Sequence, residues 1–377
     1  MPEKIKILLV VRWPVGGIRT FHKYVYNHFD PDRYEFTLIA PKLDETEVLI
    51  NDLNRFSIHT RLLSKSPGPV ELCLAVLQEL RQKKYNIVHA HGVTSGIASI
   101  LAVKIFRTPL VVSLHEAFFG SVFEGVRGKI RKLALSMLWK AATVIHCVSH
   151  DARDALLGAF PGATGLAKKS ITIINGIEVE RFLHAEGIDW HKKLDLSPDA
   201  FLIGFLGRFM SPKGFRYLVE ALQLLLRDHP NVAEKMLILT FGEGGFVREE
   251  KAAIKEKNLV NYFRFLPFEP DIAAALKGLD LVVMPSISEA CGLLAMEALV
   301  SGVPLIGTDC VGLREVLRDT VANVVPPANA VKLATAILEE WNSPSQDKAK
   351  SFSPIAAKRF TVETNALKLQ ELYGTIL

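Results

Sequence analysis

Two glutamates eight positions apart, Glu289 and Glu297, bracket the stretch Ser288-Glu289-Ala290-Cys291-Gly292-Leu293-Leu294-Ala295-Met296-Glu297-Ala298. The stretch follows a strand-like apolar run, Leu281-Val282-Val283-Met284. On one continuous helix, eight steps of roughly 100° would leave the two carboxylates about 80° out of register. They converge more easily with Glu289 in a loop and Glu297 about a turn into the following helix. Between them, the amides of Gly292, Leu293 and Leu294 are expected to be unpaired donors of a helix N-terminus, which suits an anion. Carboxylates that accept from hydroxyls, on both sides of a phosphate-binding helix start, describe a pocket for a sugar nucleotide. The spacing alone is common, so the neighbouring motifs must decide.

Cations stand at a comparable place earlier in the same half, in Ile203-Gly204-Phe205-Leu206-Gly207-Arg208-Phe209-Met210-Ser211-Pro212-Lys213-Gly214. Arg208 at a strand exit and Lys213 at a helix start can both point at one diphosphate and stabilise it as a leaving group. Solvated surface cations are the alternative. Arg12-Trp13-Pro14-Val15-Gly16-Gly17-Ile18 repeats the strand-loop-helix layout near the start, where adjacent Gly16 and Gly17 permit a tight turn and close approach of a ligand to the backbone. This is not G-x-G-x-x-G, so a dinucleotide fingerprint is poorly matched. His115 ends the run Val111-Val112-Ser113-Leu114, where a side chain would enter a cleft between domains; a structural histidine is the alternative. His89 and His91 have a spacing that can bind metal on a strand, but no third ligand is spaced nearby. Asp30-Pro31-Asp32 lies between a helix and a strand, on the wrong side of a sheet for catalysis, and reads as a turn.

These residues need parallel sheets to position them. Strand and helix patterns alternate almost throughout, which argues for sheets covered on both faces. Strands are expected near 5–11, 35–39, 57–62, 86–90, 109–114, 143–148 and 170–174, with helices at 17–29, 69–83, 126–141 and 150–158 among them. The stretch Glu178 to Pro198 has little periodicity and reads as a connection. Alternation restarts with strands at 201–206, 236–241, 262–265, 280–284 and 303–307, helices at 214–228, 246–257, 271–277 and 292–301, and a last strand signal near Ala322–Val325. Pro354 to Leu377 reads as helical. The expected fold class is therefore α/β, with two Rossmann-like doubly wound parallel-sheet domains facing an interdomain cleft, since such sheets bind ligands beyond their strands' carboxyl ends. The expected boundaries are 1–177 for the first domain, 178–200 for the connection, 201–353 for the second domain and 354–377 for a closing helix.

The chain has 377 residues, 49% hydrophobic and 23% charged, which is enough for two cores. No apolar run approaches the roughly 18 residues needed to span a bilayer. The first apolar run reads as a strand rather than a signal peptide. Cys73, Cys147, Cys291 and Cys310 show no disulfide framework or metal spacing, which favours a reducing cytoplasm. The net charge of +5 is uneven. Residues 1–175 carry 23 Lys+Arg against 14 Asp+Glu (+9), and residues 176–377 carry 22 against 26 (−4). The basic half is expected to face something anionic. Nucleic acid is disfavoured, because the cations are not interleaved with exposed-looking aromatics. The helix pattern around Val126–Lys140 combines Arg127, Lys129, Arg131 and Lys132 with an apolar face, and either lies on anionic lipid or packs on a core with a solvated basic stripe.

Taken together, these motifs resemble the retaining nucleotide-sugar glycosyltransferases of GT-B architecture, family 4, over nearly the whole chain. The resemblance rests on the Gly16-Gly17 loop, the His115 strand end, Ile174-Asn175-Gly176-Ile177-Glu178 with Phe182, and Gly207-Arg208…Lys213-Gly214. It extends through Phe241-Gly242-Glu243-Gly244, Glu289…Glu297 and Ser301-Gly302-Val303-Pro304. It implies that Arg208 and Lys213 hold the donor diphosphate, with Gly16, Gly17, Gly292, Leu293 and Leu294 supplying backbone. It also implies that Glu289 grips the donor sugar, Glu297 the ribose, and that His115 sits against the reacting sugar. The base would pack near Phe265-Leu266-Pro267, with Leu266 in contact. The closing helix would return to the first domain. No metal and no cofactor are implied beyond a UDP- or GDP-sugar as substrate. Ala290-Cys291, Pro267 and Cys310-Val311-Gly312 depart from the family pattern without removing a charged group.

The expected activity is sugar transfer to a hydroxyl acceptor (polysaccharide, lipid-linked or small-molecule glycoside) with retention, in the cytoplasm and peripheral at the inner face of the membrane. The alternatives are a GT-B sugar-nucleotide epimerase and a non-catalytic sugar-nucleotide-binding protein. Phosphorylases need a longer chain with a pyridoxal lysine. Acceptor specificity is expected in loops such as Phe118–Arg127.

Overall fold

The computed structural model describes residues 3–116, 125–242, 244–267 and 269–377. The chain divides into two compact units, Met1–Gly176 with Val362–Leu377, and Ile177–Thr361.

The first unit holds a seven-stranded, all-parallel sheet of β1 (Ile5–Val11), β2 (Tyr34–Pro41), β3 (His59–Leu63), β4 (Ile87–His91), β5 (Leu110–Leu114), β6 (Val144–Cys147) and β7 (Ser170–Thr172). Their order across the sheet is β3-β2-β1-β4-β5-β6-β7. Central strands are apolar on both faces, as parallel strands under helices must be: Ile7 to Val11 and Leu110 to Leu114 are all buried. The order reverses between β1 and β4, with Val11 opposite His91 in the register, and doubly wound sheets bind ligands at such a reversal.

The second unit holds six parallel strands, β8 (Phe201–Leu206), β9 (Met236–Phe241), β10 (Phe263–Leu266), β11 (Leu281–Met284), β12 (Leu305–Thr308) and β13 (Asn323–Val325). Their order is β10-β9-β8-β11-β12-β13, with the reversal between β8 and β11. The loops leaving β8 and β11 are the ones that carry Arg208, Lys213 and Glu289.

Two segments differ from the sequence reading, and one helix that it gave no range fits its alternation. The stretch 178–200 is part of the second unit rather than a bare connection. Helices Val179–His184 and Trp190–Lys193 lie in it, the Phe182 side chain is fully buried, and the Trp190 indole donates to the Ala275 carbonyl at 3.0 Å. These helices are too short for a period of 3.6 to show. Helix Val93–Phe106 is apolar nearly all round, so it has no readable stripe; it packs between helices Pro69–Gln82 and Gly125–Ala141. The end of the chain is two helices, Gln346–Phe360 with Pro354 inside it and Val362–Ile376, separated at Thr361. The second of these belongs to the first unit.

Candidate functional site

In the second unit the turn after β8 and the loop after β11 are locked together. The amide of Ile287 donates to the Pro212 carbonyl at 2.7 Å. Gly214 has φ +66°, and a β-carbon there would lie 2.0 Å from the Pro285 oxygen, so only glycine permits the approach. This contact sets the position of Lys213, the last residue of a single 3-10 turn, Ser211–Lys213. Its ammonium donates to both carboxylate oxygens of Glu289, at 2.7 and 2.9 Å. The Ser286 hydroxyl donates to Oε1 of Glu289 at 2.7 Å. The backbone of Glu289 is fixed in turn: its amide donates to the Val311 carbonyl at 3.0 Å, and Gly312, with φ +80°, passes where a β-carbon would lie 2.2 Å from the Glu289 oxygen.

Glu289 thus sits in the loop and Glu297 five residues into helix Leu293–Ser301, where it is 7% exposed. Arg208 is exposed and has no hydrogen bond or ion pair among the described residues. Of the three amides expected to be open, that of Leu293 is not: it donates to the Cys291 carbonyl at 2.8 Å. The chain turns tightly into the helix at Gly292, and the amides of Ala295 and Met296 return to the Gly292 carbonyl at 3.0 and 3.3 Å. The N-cap residue is Gly292, which has no side chain to cap the helix start. Cys291 and Cys310 are buried and outside any disulfide, and burial pushes the Cys310 thiol up to about 11. Phe265 and Leu266 are half-buried and Pro267 exposed, with the Phe265 ring 5.6 Å from that of Phe209. Gly242 and Gly244 press on the backbone of Gly207 and Phe209; Glu243 lies outside the described residues.

In the first unit, Gly16 has φ +56° and precedes helix Gly17–Tyr26. Both Gly16 and Gly17 are exposed, and nothing lies within 4 Å of a β-carbon at Gly17. Asp30 is a turn residue as expected, its carboxylate accepting from the Asp32 amide at 2.9 Å. Residues 118–124 of the stretch proposed for acceptor specificity lie outside the described residues.

His115 follows β5 and is half-buried. It is not alone. His91 Nδ1 is 3.0 Å from His115 Nε2, and His91 Nε2 is 2.9 Å from the Tyr26 hydroxyl. The Tyr373 hydroxyl is 2.5 Å from His89 Nδ1, and His89 Nε2 is 2.7 Å from the Ser113 hydroxyl. That hydroxyl lies 2.7 Å from His146 Nδ1, and His146 Nε2 is 3.1 Å from the Ile173 carbonyl. His22 packs beside this chain, its ring centroid 4.1 Å from that of His91 and tilted to it, with its Nδ1 2.8 Å from the Ile18 carbonyl. Burial holds all five imidazoles below the ordinary histidine range, His22 and His146 to about 4. His89 and His91 therefore spend their ring nitrogens on hydroxyls and on His115. The sequence pointed to His115 but not to the residues behind it, because they come from three elements far apart in the chain: His22 and Tyr26 from helix Gly17–Tyr26, His146 from β6 and Tyr373 from helix Val362–Ile376.

Helix Gly125–Ala141 shows two apolar faces. Gly128, Leu135, Leu138 and Trp139 are buried. Val126, Ile130, Leu133 and Met137 are 74, 63, 65 and 51% exposed, and at about 100° per residue they form a stripe on the opposite side. Arg127, Lys129, Arg131 and Lys132 are exposed beside it, although Arg131 lies 3.7 Å from the Glu116 carboxylate. No described helix is long and apolar enough to cross a membrane.

Two family models match in tandem: Glycosyltransferase Family 4 over residues 15–181 and Glycosyl transferases group 1 over residues 188–359. A D-inositol 3-phosphate glycosyltransferase of Geodermatophilus obscurus is 26% identical over 73% of this chain and 66% of its own length. The chain thus spans just under two thirds of that relative. A UDP-Gal:alpha-D-GlcNAc-diphosphoundecaprenol alpha-1,3-galactosyltransferase of Escherichia coli is 24% identical over 81% of this chain and 79% of its own. Among solved structures, Anabaena Alr3699/HepE in complex with UDP-glucose superposes with a TM-score of 0.82 at 21% identity, over 98% of this chain and 99% of that one. With two doubly wound parallel sheets and a family model on each half, the chain belongs to the family 4 glycosyltransferases of GT-B architecture.

Proposed function

We propose that the protein transfers a hexose from a UDP- or GDP-sugar to a hydroxyl on an anionic acceptor, with retention and without a divalent metal. The Lys213–Glu289 pair, with Arg208 on the same β8 loop, carries this reading. Oε1 of Glu289 accepts from both Lys213 and Ser286, while Oε2 accepts from Lys213 alone, which leaves it capacity for a sugar hydroxyl. The Lys213 ammonium has three protons and one carboxylate partner, so it can also donate to phosphate. A carboxylate engaged in this way suits gripping a sugar better than attacking one. A same-face substitution, in which the departing diphosphate assists the incoming hydroxyl, fits better than a covalent intermediate. Two cations meet the charge that develops on the diphosphate, which is the role a divalent ion would otherwise have.

The UDP-glucose complex of the Anabaena neighbour and the UDP-galactose donor in the name of the E. coli relative support a uridine nucleotide first. The acceptors in both relatives' names, an inositol phosphate and a lipid diphosphate, are anionic, which matches the +9 charge of residues 1–175. The exposed apolar stripe with its flanking cations further supports peripheral docking on anionic lipid. A donor-hydrolysis screen over common UDP- and GDP-sugars, with titration of UDP, GDP and NAD, tests the reading. Arg208→Ala should cost on the order of 2–4 kcal/mol of transition-state stabilisation, more in turnover than in affinity, and activity should survive EDTA. Binding of NAD alone, or no hydrolysis of any donor, would sink it.

A further inference from the structure

We propose that His115 is held as a neutral imidazole with its proton on Nδ1 by a one-way chain of hydrogen bonds in which His91 and Tyr26 are positioning residues. The direction follows from what each group can donate. The Ile173 carbonyl only accepts, so His146 carries its proton on Nε2, and its Nδ1 accepts. The Ser113 hydroxyl must then give its single proton to His146 Nδ1 and accept from His89 Nε2. His89 Nδ1 is left as an acceptor, with the Tyr373 hydroxyl at 2.5 Å and the Tyr26 hydroxyl at 3.1 Å. The nearer donor, Tyr373, takes it. Tyr26 can then give its proton to His91 Nε2 at 2.9 Å or to the Tyr373 oxygen at 3.4 Å, and the shorter bond decides. His91 therefore carries its proton on Nδ1 and donates to His115 Nε2 at 3.0 Å.

Such a chain transmits only while every ring is neutral, and the surroundings secure this. His89, His91 and His146 are buried from solvent, and among the described residues no carboxylate bonds to any ring nitrogen in the chain. His22 packs on His91 as a further neutral ring, with Nδ1 on Ile18 and a buried Nε2 that has no partner. The consequence for His115 is chemical. With its Nε2 lone pair spent on His91, the ring can offer an N–H from Nδ1 but no base. Resting on the proposed function, this makes His115 a hydrogen-bond donor to the donor sugar and not a proton acceptor from the incoming hydroxyl.

The test reads the tautomer directly, by long-range proton–nitrogen correlation on the full-length, nitrogen-15-labelled protein at pH 7.5, with no ligand present. The wild type should show His115 protonated at Nδ1 and unprotonated at Nε2. Tyr26→Phe removes the proton that sets His91 and should turn His115 into a mixture of tautomers, with turnover falling about tenfold, one hydrogen bond's worth. His91→Asn places an amide N–H where Nδ1 was and should restore the His115 tautomer, whereas His91→Leu should not. A wild-type His115 protonated at Nε2, or cationic at this pH, overturns the proposal without any variant needing to fold. So does an unchanged tautomer in Tyr26→Phe. Because the spectrum needs no substrate, the absence of transferase activity would count against the proposed function and leave this chain of bonds standing.

Discussion

Mild acid should unfold the first unit, and the histidine cluster supplies the magnitude. His22 and His146 are buried, and burial lowers both from the ordinary value of 6.5 to about 4, against the smaller upward pull of the Ile18 and Ile173 carbonyls. Below pH 6.5 the unfolded chain takes up a proton on each ring that the folded chain refuses until about pH 4. Stability therefore rises with pH across that window. The contribution is complete above 6.5, is lost progressively as pH falls to 4, and is constant below. At about 1.4 kcal/mol per unit, each ring contributes roughly 3.5 kcal/mol and the two together about 7, against the roughly 5–15 kcal/mol that holds a typical domain. His89, His91 and His115 act in the same direction. Glu116, raised by burial, opposes them as a single group at the edge of the cluster. Urea unfolding between pH 7.5 and 5, followed by the fluorescence of buried Trp139, measures the slope, and His146→Gln should lower it by about one proton. A wild-type slope below one proton across pH 6.5–5, or no change in His146→Gln, would refute the reasoning.

The two glutamates should fail differently: Glu289→Gln is expected mainly to lower turnover and Glu297→Gln mainly to weaken donor binding, and full activity and affinity in both would remove the assignment. Gly214→Ala should destabilise the second unit by more than 1 kcal/mol in urea unfolding, because it adds positive-φ strain to a contact with the Pro285 oxygen that cannot relax without moving the Lys213 turn. The protein should pellet with anionic but not neutral vesicles at low salt, each engaged cation contributing about 1 kcal/mol. Binding should fall with ionic strength and in Arg127→Glu/Lys129→Glu; equal pelleting with both lipids would point to a soluble acceptor instead.

Much of this organisation was readable from residue order alone, for a physical reason. A parallel strand buried on both faces is a run of apolar residues with turn signals at its ends, so β1, β8, β9 and β11 stand out and their exits are fixed. Arg208, Lys213 and Glu289 sit at those exits, within a few residues of a landmark. The pairing of Lys213 with Glu289 did not show, since it depends on two loops meeting across the reversal of strand order. Nor did the two-faced apolar character of helix Gly125–Ala141, where a core stripe and an exposed stripe together flatten the amphipathic signal.

The histidine cluster lies between these cases, and it shows what a closer reading of a sequence can extract. His89 and His91 stand in a strand whose other residues are apolar, and His146 in a strand two places away. A buried polar ring must be hydrogen-bonded, and in a parallel sheet the nearest partners are the register neighbours. Those neighbours are polar too: His91 is opposite Ser113, and Ser113 is opposite His146. Side chains at register positions share a face, and so does His89, two residues before His91. Three adjacent strands that each carry a polar residue near the carboxyl end therefore imply one connected row beneath the site. Ser113 as the link was within reach of the sequence. The ends of the row were not, because Tyr26 and Tyr373 come from helices 347 positions apart in the chain, and only their packing together in the first unit brings both hydroxyls onto His89.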